Sequence, residues 1–346
     1  SSQQIFIIRN IQDRMRTVFI VNPKAGQGKG NKKFTERIRH VAEKAGTAVE
    51  IYTTAGIGDA EILARQIAEE SNAEPTRIYA CGGDGTLNEV LNGVLHAGCE
   101  GSKGNEECES GADIAIGVVP IGTGNDFCRN FPEAADFTDI EAQLAAEPKR
   151  CDTIKYSGIL AGKEQTRYCA NMFNIGFDCN VVDLTATLKT YPLLSGSLAY
   201  LMAILAILVK KKGANLKVEV DGEVKHDGPL LLTAVANGCF CGGGVKSSPM
   251  ASISDGLMDI NIIYNVKRME FLKKFPYYSK GTHMELPDIS KILYAAQAKK
   301  IVIVPNDGTM RLCADGEIVD AGRVEMEIVH EAFTFLVPKG EKENDD

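Results

Sequence analysis

The chain has 346 residues, 44 % of them apolar and 24 % charged, a composition that suits one or two globular domains, each long enough to bury its own core. Its formal net charge of −8 argues against a nucleic-acid partner, whose footprint would be basic. The ten cysteines form no Cys-x-x-Cys pair and several lie in apolar runs, so they read as reduced thiols of a cytoplasmic protein; metal binding by Cys239 and Cys241 is the less favoured reading.

The opening SSQQIFIIRNIQDR lacks the basic n-region and cleavage site of a signal peptide, and the native start is expected at Met15. Residues 17–21 (TVFIV) read as a buried strand, followed by the loop NPKAGQGKG. Phe34, Ile38, Val41, Ala42 and Ala45 recur at helical spacing, and Gly46 closes that helix. TAVEIYT (47–53) predicts a second strand. A helix follows from Asp59 to Ser71, with Ile62, Leu63 and Ile67 on one face. RIYAC (77–81) is the third strand, and GGDGTLNEV follows it. The spacing Thr86-x-x-Glu89 predicts a capping box, and Leu87, Val90, Leu91, Val94 and Leu95 form an apolar stripe behind it. After a polar insertion (99–113), IAIGVV (114–119) predicts a fourth strand, and its loop is PIGTGN.

Beyond about residue 150 the pattern turns to short alternating runs, with Asp-Gly hairpin signals at 221–222 and 315–316. Two helical stretches interrupt them, around 197–212 and 267–280. The apolar run Leu198 to Val209 is too short to span a membrane and reads as a buried helix. Lys210, Lys211 and Lys212 after it suit a helix C-terminus; the alternative is contact with an anionic membrane surface. The acidic end EKENDD reads as a disordered tail. The expected division is an α/β domain over 15–147, with a parallel sheet covered by helices, and an antiparallel β-sandwich over 148–338, parting at Glu147-Pro148.

In parallel sheets, ligands bind beyond the carboxyl ends of the strands. Three glycine loops fall there: 22–30, 82–85 and 120–125. Each alone is a tight turn; together they predict a bare-backbone cradle for phosphates, to which Lys24 and Lys29 add charge. The spacing matches neither a Walker loop nor a dinucleotide fingerprint. A carboxylate at Asp84 repels phosphate unless a cation intervenes, and Mg²⁺ is the usual mediator; the alternative is that Asp84 caps a turn or a helix start. His40, His96, His226, His283 and His330 show no metal spacing.

GGDGTLNEV, VNPKAG and PIGTGNDF together resemble the diacylglycerol kinase catalytic domain family, which includes bacterial lipid kinases and the sphingosine kinases, over about residues 16–338. The resemblance implies ATP-dependent phosphorylation of a lipid hydroxyl. It also implies a Rossmann-like α/β nucleotide domain, a β-sandwich lipid domain and an active site between them. It assigns the nucleotide to Asn22, Pro23, Lys24, Ala25 and Gly26, to Thr54, to Gly82, Gly83, Asp84, Gly85, Thr86, Leu87, Asn88 and Glu89, and to Thr123, Asn125 and Asp126. It places Mg²⁺ at Asp255 with the carbonyls of Ser252 and Leu257; unaided, SISDGLM is a turn into a strand. It makes the glutamate of a late Asp-Gly-Glu triplet the catalytic base. Of the triplets at 221–223 and 315–317 the second lies in the final hairpin, so Glu317 is chosen, with Asp84 beside the metal and phosphates.

The implied acceptor is diacylglycerol or a similar lipid drawn from a membrane surface, with phosphatidic acid as product. The protein is then peripheral on the inner face of the membrane, and a homodimer stays open. Rival readings are a sphingoid-base or other lipid kinase, an NAD kinase, and a non-catalytic lipid- or nucleotide-binding regulator. The insertion 99–113 is long for the family but leaves the motifs intact.

Overall fold

The computed structural model describes residues 15–71, 74–97, 113–134, 136–176 and 213–339. The expected helix over 197–212, most of the insertion 99–113 and the acidic tail lie outside the described residues. The chain divides into two compact units, Ser1–Cys151 with Ala332–Asp346, and Asp152–Glu331.

The first unit alternates strands and helices: β1 (Arg16–Val21), α1 (Lys32–Ala45), β2 (Glu50–Thr53), α2 (Asp59–Glu70), β3 (Thr76–Gly82), α3 (Asp84–His96), β4 (Ile114–Pro120) and the short α4 (Ile140–Leu144). β1 pairs in parallel with β2 and β3, and β3 with β4. Runs such as Val18–Val21 and Ile78–Cys81 are fully buried, as strands covered on both faces must be. Asn31 caps α1 by accepting from the Lys33 and Phe34 amides, and Gly46 ends it in the left-handed conformation (φ 70°). The core is anchored by Phe19 stacked on Tyr79, centroids 4.8 Å apart.

Two expectations change here. The capping box does not form: α3 starts at Asp84, Gly83 caps it without a side-chain bond, and Thr86 lies inside the first turn. The final strand β14 (Glu317–Val337) was expected wholly in the second domain, yet its end falls in the first unit, where Thr334 and Phe335 pair in parallel with Ala115 and Ile116. Burial explains the return. Phe335 packs against Phe127 and Phe131 with centroids 4.9 and 5.1 Å apart, covering the apolar edge beside β4.

The second unit is antiparallel: the end of β5 (Glu147–Leu160), β6 (Lys163–Cys169), β7 (Met172–Gly176), β8 (Ala214–Val220), β9 (Glu223–Ala236), β10 (Met258–Tyr264), β11 (Leu293–Ala298), β12 (Lys300–Pro305), β13 (Met310–Ala314) and most of β14. One helix, α5 (Arg268–Lys280), follows β10. β9 and β14 are long enough to take two successive partners along one edge. β9 takes β8 and then β7, and β14 takes β13 and then β12. With β7 on β13 and β8 on β12 the circuit closes, which removes free edges there. Both Asp-Gly pairs turn their hairpins with positive φ at each residue: 47° and 84° at 221–222, 47° and 90° at 315–316.

Candidate functional site

The three glycine loops of the first unit leave the sheet at one level. Register places Val21 beside Cys81, and Gly82 beside Pro120. Backbone bonds continue the sheet into the loops: Asn22 N–H donates to the Cys81 carbonyl (2.9 Å), and the Ile121 and Gly122 amides both donate to the Gly82 carbonyl (3.0 Å each). Thr54, buried at the end of β2, donates its amide to the Val21 carbonyl at 2.9 Å. Parallel pairing has therefore aligned four segments along one edge, as the sequence reading expects of a ligand-binding rim.

The glycines have a packing reason. A Cβ on Gly122 would lie 2.4 Å from Gly83 Cα, and one on Gly26 would lie 2.0 Å from the Ile121 carbonyl oxygen. The loops touch backbone to backbone, and any side chain there would drive them apart. Asn125 adopts φ 57° and its side-chain Nδ2 donates to the Gly122 carbonyl (3.0 Å), closing the GTGN turn on itself.

Asp84 ties two of the loops together. Its Oδ1 accepts from the Asp126 amide at 2.8 Å and the Phe127 amide at 3.2 Å. The turn-capping reading of Asp84 is thus part of its role, and it places a carboxylate at the junction of GGDGT and GTGNDF. Asn22 Nδ2 donates to Thr86 Oγ1 (3.3 Å), which joins the first loop to the second. Lys24 and Thr123 are exposed; the Lys24 amide donates to Asn22 Oδ1 at 3.0 Å. Asp126 is buried, with Arg129 Nε 3.4 Å from its Oδ1.

The far end of the GGDGTLNEV motif serves the rim from behind. Leu87 is in the core, and Asn88 is buried beside Asn92, whose Nδ2 donates to the Asn88 carbonyl (2.9 Å). Glu89, expected as a capping-box partner, instead accepts from the amides of Gly58 (3.0 Å) and Ala60 (3.1 Å). It caps α2, whose own N-cap, Gly58, has no side chain to do so. Glu89 therefore holds the segment after Thr54 against α3.

Two further carboxylate centres lie in the second unit. At the 315–317 hairpin, Asp315 is buried, and its carboxylate accepts from the amides of Ala170 (2.7 Å), Asn171 (3.0 Å) and Met172 (3.1 Å) and from the Cys169 thiol (3.2 Å). Burial and this carboxylate push the Cys169 thiol well above its ordinary range. Glu317, two residues on, is exposed. In the other triplet Glu223 is ion-paired with Lys225.

The second centre is the turn at 252–257. Asp255 is exposed, and its Oδ1 accepts from the Leu257 amide at 3.1 Å. The donors on offer there are one carboxylate and main-chain carbonyls, including those of Ser252 and Leu257. An all-oxygen set fits a hard divalent cation such as Mg²⁺. Among the described residues no three His, Cys, Asp or Glu side chains gather to hold a metal, so a cation here would rely on carbonyls and water. Asp259, buried nearby, is pushed up to about 6 by desolvation, with Asp255 adding to the shift.

Sequence reasoning missed Asp152. Its carboxylate is fully buried and accepts from the Gly256 amide (2.7 Å) and the Glu331 amide (2.7 Å), with His330 Nδ1 at 2.8 Å. Its own amide donates to the Ile253 carbonyl at 2.7 Å, so it grips the 252–257 turn from both sides. A signal existed: Asp152, Ile154 and Tyr156 alternate, and the latter two are core residues, which places a carboxylate on the core face of a strand.

Residues 16–156 match the family model described as the diacylglycerol kinase catalytic domain, and residues 171–337 match the YegS C-terminal NAD kinase beta sandwich-like domain. The chain is 27 % identical over 320 residues to a diacylglycerol kinase of Mycobacterium tuberculosis, covering 92 % of this chain and 94 % of that one. It is 30 % identical over 261 residues to a probable lipid kinase YegS-like of Chromohalobacter salexigens, covering 75 % and 74 %. A putative diacylglycerol kinase from Bacillus anthracis shares the fold, with a TM-score of 0.67 at 22 % identity over 93 % of this chain and 97 % of that one. The matched residues take in all three glycine loops as well as the 252–257 and 315–317 turns, and the chain belongs to the diacylglycerol kinase catalytic domain family of lipid kinases.

Proposed function

We propose that this chain transfers the γ-phosphate of ATP to the primary hydroxyl of diacylglycerol or a similar membrane lipid, giving phosphatidic acid. The observation that carries the reading is the rim of the first unit, where three glycine loops meet backbone to backbone and Asp84 fastens GGDGT to GTGNDF. Amide groups of such loops and the N-terminal end of α3 suit the phosphate chain. Phosphoryl transfer asks mainly for positioning and charge neutralisation, which a rigid rim supplies.

Asp84 is proposed beside the phosphates, and Asp255 with the carbonyls of Ser252 and Leu257 as holders of Mg²⁺. Bound Mg²⁺ would supply charge neutralisation and a template for substrate. Glu317, exposed beside the anchored Asp315, is proposed as the base. The lipid oxygen attacks the γ-phosphorus as the bond to the bridging oxygen breaks; ADP leaves, and the hydroxyl proton passes to the Glu317 carboxylate. Such general-base help is worth roughly 10²–10⁴-fold.

The test is ATP-dependent phosphate incorporation in mixed micelles holding diacylglycerol, monoacylglycerol, ceramide or sphingosine, with NAD as a soluble control. Wild type is expected to label diacylglycerol, and Glu317→Gln to lose that labelling while its unfolding curve is unchanged. A folded Glu317→Gln with near-normal turnover would remove Glu317 from the mechanism. Labelling of NAD alone would overturn the lipid assignment.

A further inference from the structure

The chain carries a net charge of −8, yet residues 267–285, KRMEFLKKFPYYSKGTHME, hold five basic residues against two glutamates. Most of this segment is α5. Its buried side, with Phe271 and Tyr278, closes over an apolar hollow lined also by Ile263, Phe275, Ile292 and Leu293. The opposite side has a different character. Met269, Lys273, Pro276, Tyr277 and Lys280 follow one another at helical spacings of three, four and one, so they share a face, and all five are exposed. Met269 is 64 % exposed and Tyr277 46 %, and Met284, just past the helix, is 37 % exposed. Among the described residues no carboxylate pairs with Lys273 or Lys280.

We infer that this face of α5 rests on an anionic bilayer surface. The chemistry singles out that occupant. Apolar tips and an aromatic ring alternate with lysines whose long stems let the charge stay in water while the methylenes lie on hydrocarbon. A short basic amphipathic helix of this kind lies in the interface plane, and tyrosine favours the headgroup level. Unpaired lysines on an acidic protein give local attraction to anionic headgroups despite overall repulsion. The proposal deepens the lipid-kinase reading by naming the surface that meets the substrate's membrane, and it differs from the sequence-based alternative at Lys210–Lys212.

The test is co-sedimentation with vesicles of phosphatidylcholine containing phosphatidylglycerol, and of phosphatidylcholine alone, at low and high salt. Wild type should bind the anionic vesicles at low salt and leave them as salt rises. Each lysine removed should weaken binding roughly fivefold, so Lys273→Ala with Lys280→Ala should cost about 25-fold. The paired Arg substitutions should restore binding, and Met269→Ser with Tyr277→Ser should weaken it at every salt concentration. These side chains are exposed, and unchanged melting curves exclude misfolding as the cause.

Wild type that ignores anionic vesicles would overturn the proposal in favour of a protein partner. So would binding that survives loss of Lys273 and Lys280 but fails when Lys210, Lys211 and Lys212 become alanine. Phosphorylation of a water-soluble short-chain diacylglycerol, measured in parallel, should be equal in wild type and the lysine variant. If no lipid is phosphorylated while vesicle binding follows the lysines, the kinase reading falls and the docking face stands.

Discussion

Asp315 is the sharpest place to separate anchoring from chemistry, because it neighbours the proposed base and is itself a carboxylate. Its four donors all come from Cys169–Met172, far from it in sequence. Asp315→Ala would strand three buried amides. At about 1–3 kcal/mol for each such amide, the loss is roughly 3–9 kcal/mol. Alanine at φ 47° adds about 1 kcal/mol. Against a total stability of about 5–15 kcal/mol this threatens the fold itself. Asp315→Asn is the informative variant. Asparagine tolerates the left-handed backbone, and its carbonyl oxygen can keep the Asn171 and Met172 amides. Its NH₂ would then face the Ala170 amide, a clash of donors costing roughly 1–3 kcal/mol. Urea unfolding should show that loss at unchanged slope, while turnover stays measurable because Glu317 is retained. Glu317→Gln should show the reverse: wild-type stability and lost turnover. An Asp315→Asn variant as stable as wild type but inert would refute the anchoring argument and place Asp315 on the substrate.

Two other perturbations follow from the same geometry. Gly122→Ala should abolish activity and cost at least about 2 kcal/mol of stability, since its Cβ meets main chain rather than a movable side chain; Gly28→Ala, with nothing within 4 Å but φ 91°, should cost only about 1 kcal/mol and keep activity, and equal effects would refute the loop-packing account. Asp259 has a folded pKa of about 6 against an ordinary 3.8, so the folded protein holds that proton more tightly than the unfolded chain, and stability is lost as pH rises through that window. Asp259→Asn should therefore match wild type near the acid end and exceed it by roughly 2–3 kcal/mol above the window in EDTA, read by urea melts; a pH-independent difference would exclude the burial explanation.

The strands of the first unit were legible because a sheet covered on both faces needs continuous apolar runs, and Val18–Val21 and Ile78–Cys81 are such runs. The hairpins were legible because Asp-Gly is the chemistry their turns require. The return of β14 was not. AFTFLVP alternates like any strand of the second half, and only the aromatic cluster with Phe127 and Phe131 shows where it is buried. Nor was the closed circuit of the second unit, since it depends on β9 and β14 each changing partner partway along.

The carboxylates show why a motif reveals a site without revealing its division of labour. Asp84, Glu89, Asp152 and Asp315 all look like candidate catalytic or metal-binding groups, yet each accepts backbone amides from a segment distant in the chain. A charged acceptor on an amide makes a stronger bond than a neutral one, so a protein that must hold glycine-rich turns has reason to use carboxylates for it. Glycine turns have no side chains of their own with which to be held. These four carboxylates shape the rim and turns of their own units, whereas Asp255 and Glu317 in the second unit are exposed. Exposure combined with an anchored neighbour is what marks these two: Asp255 in the turn gripped by Asp152, and Glu317 two residues after Asp315. In each pair the buried carboxylate fixes the backbone from which the exposed one projects, so on the proposed reading rigidity and chemistry fall on separate carboxylates. Neutralising the anchor should cost stability first, and neutralising the exposed partner should cost turnover first.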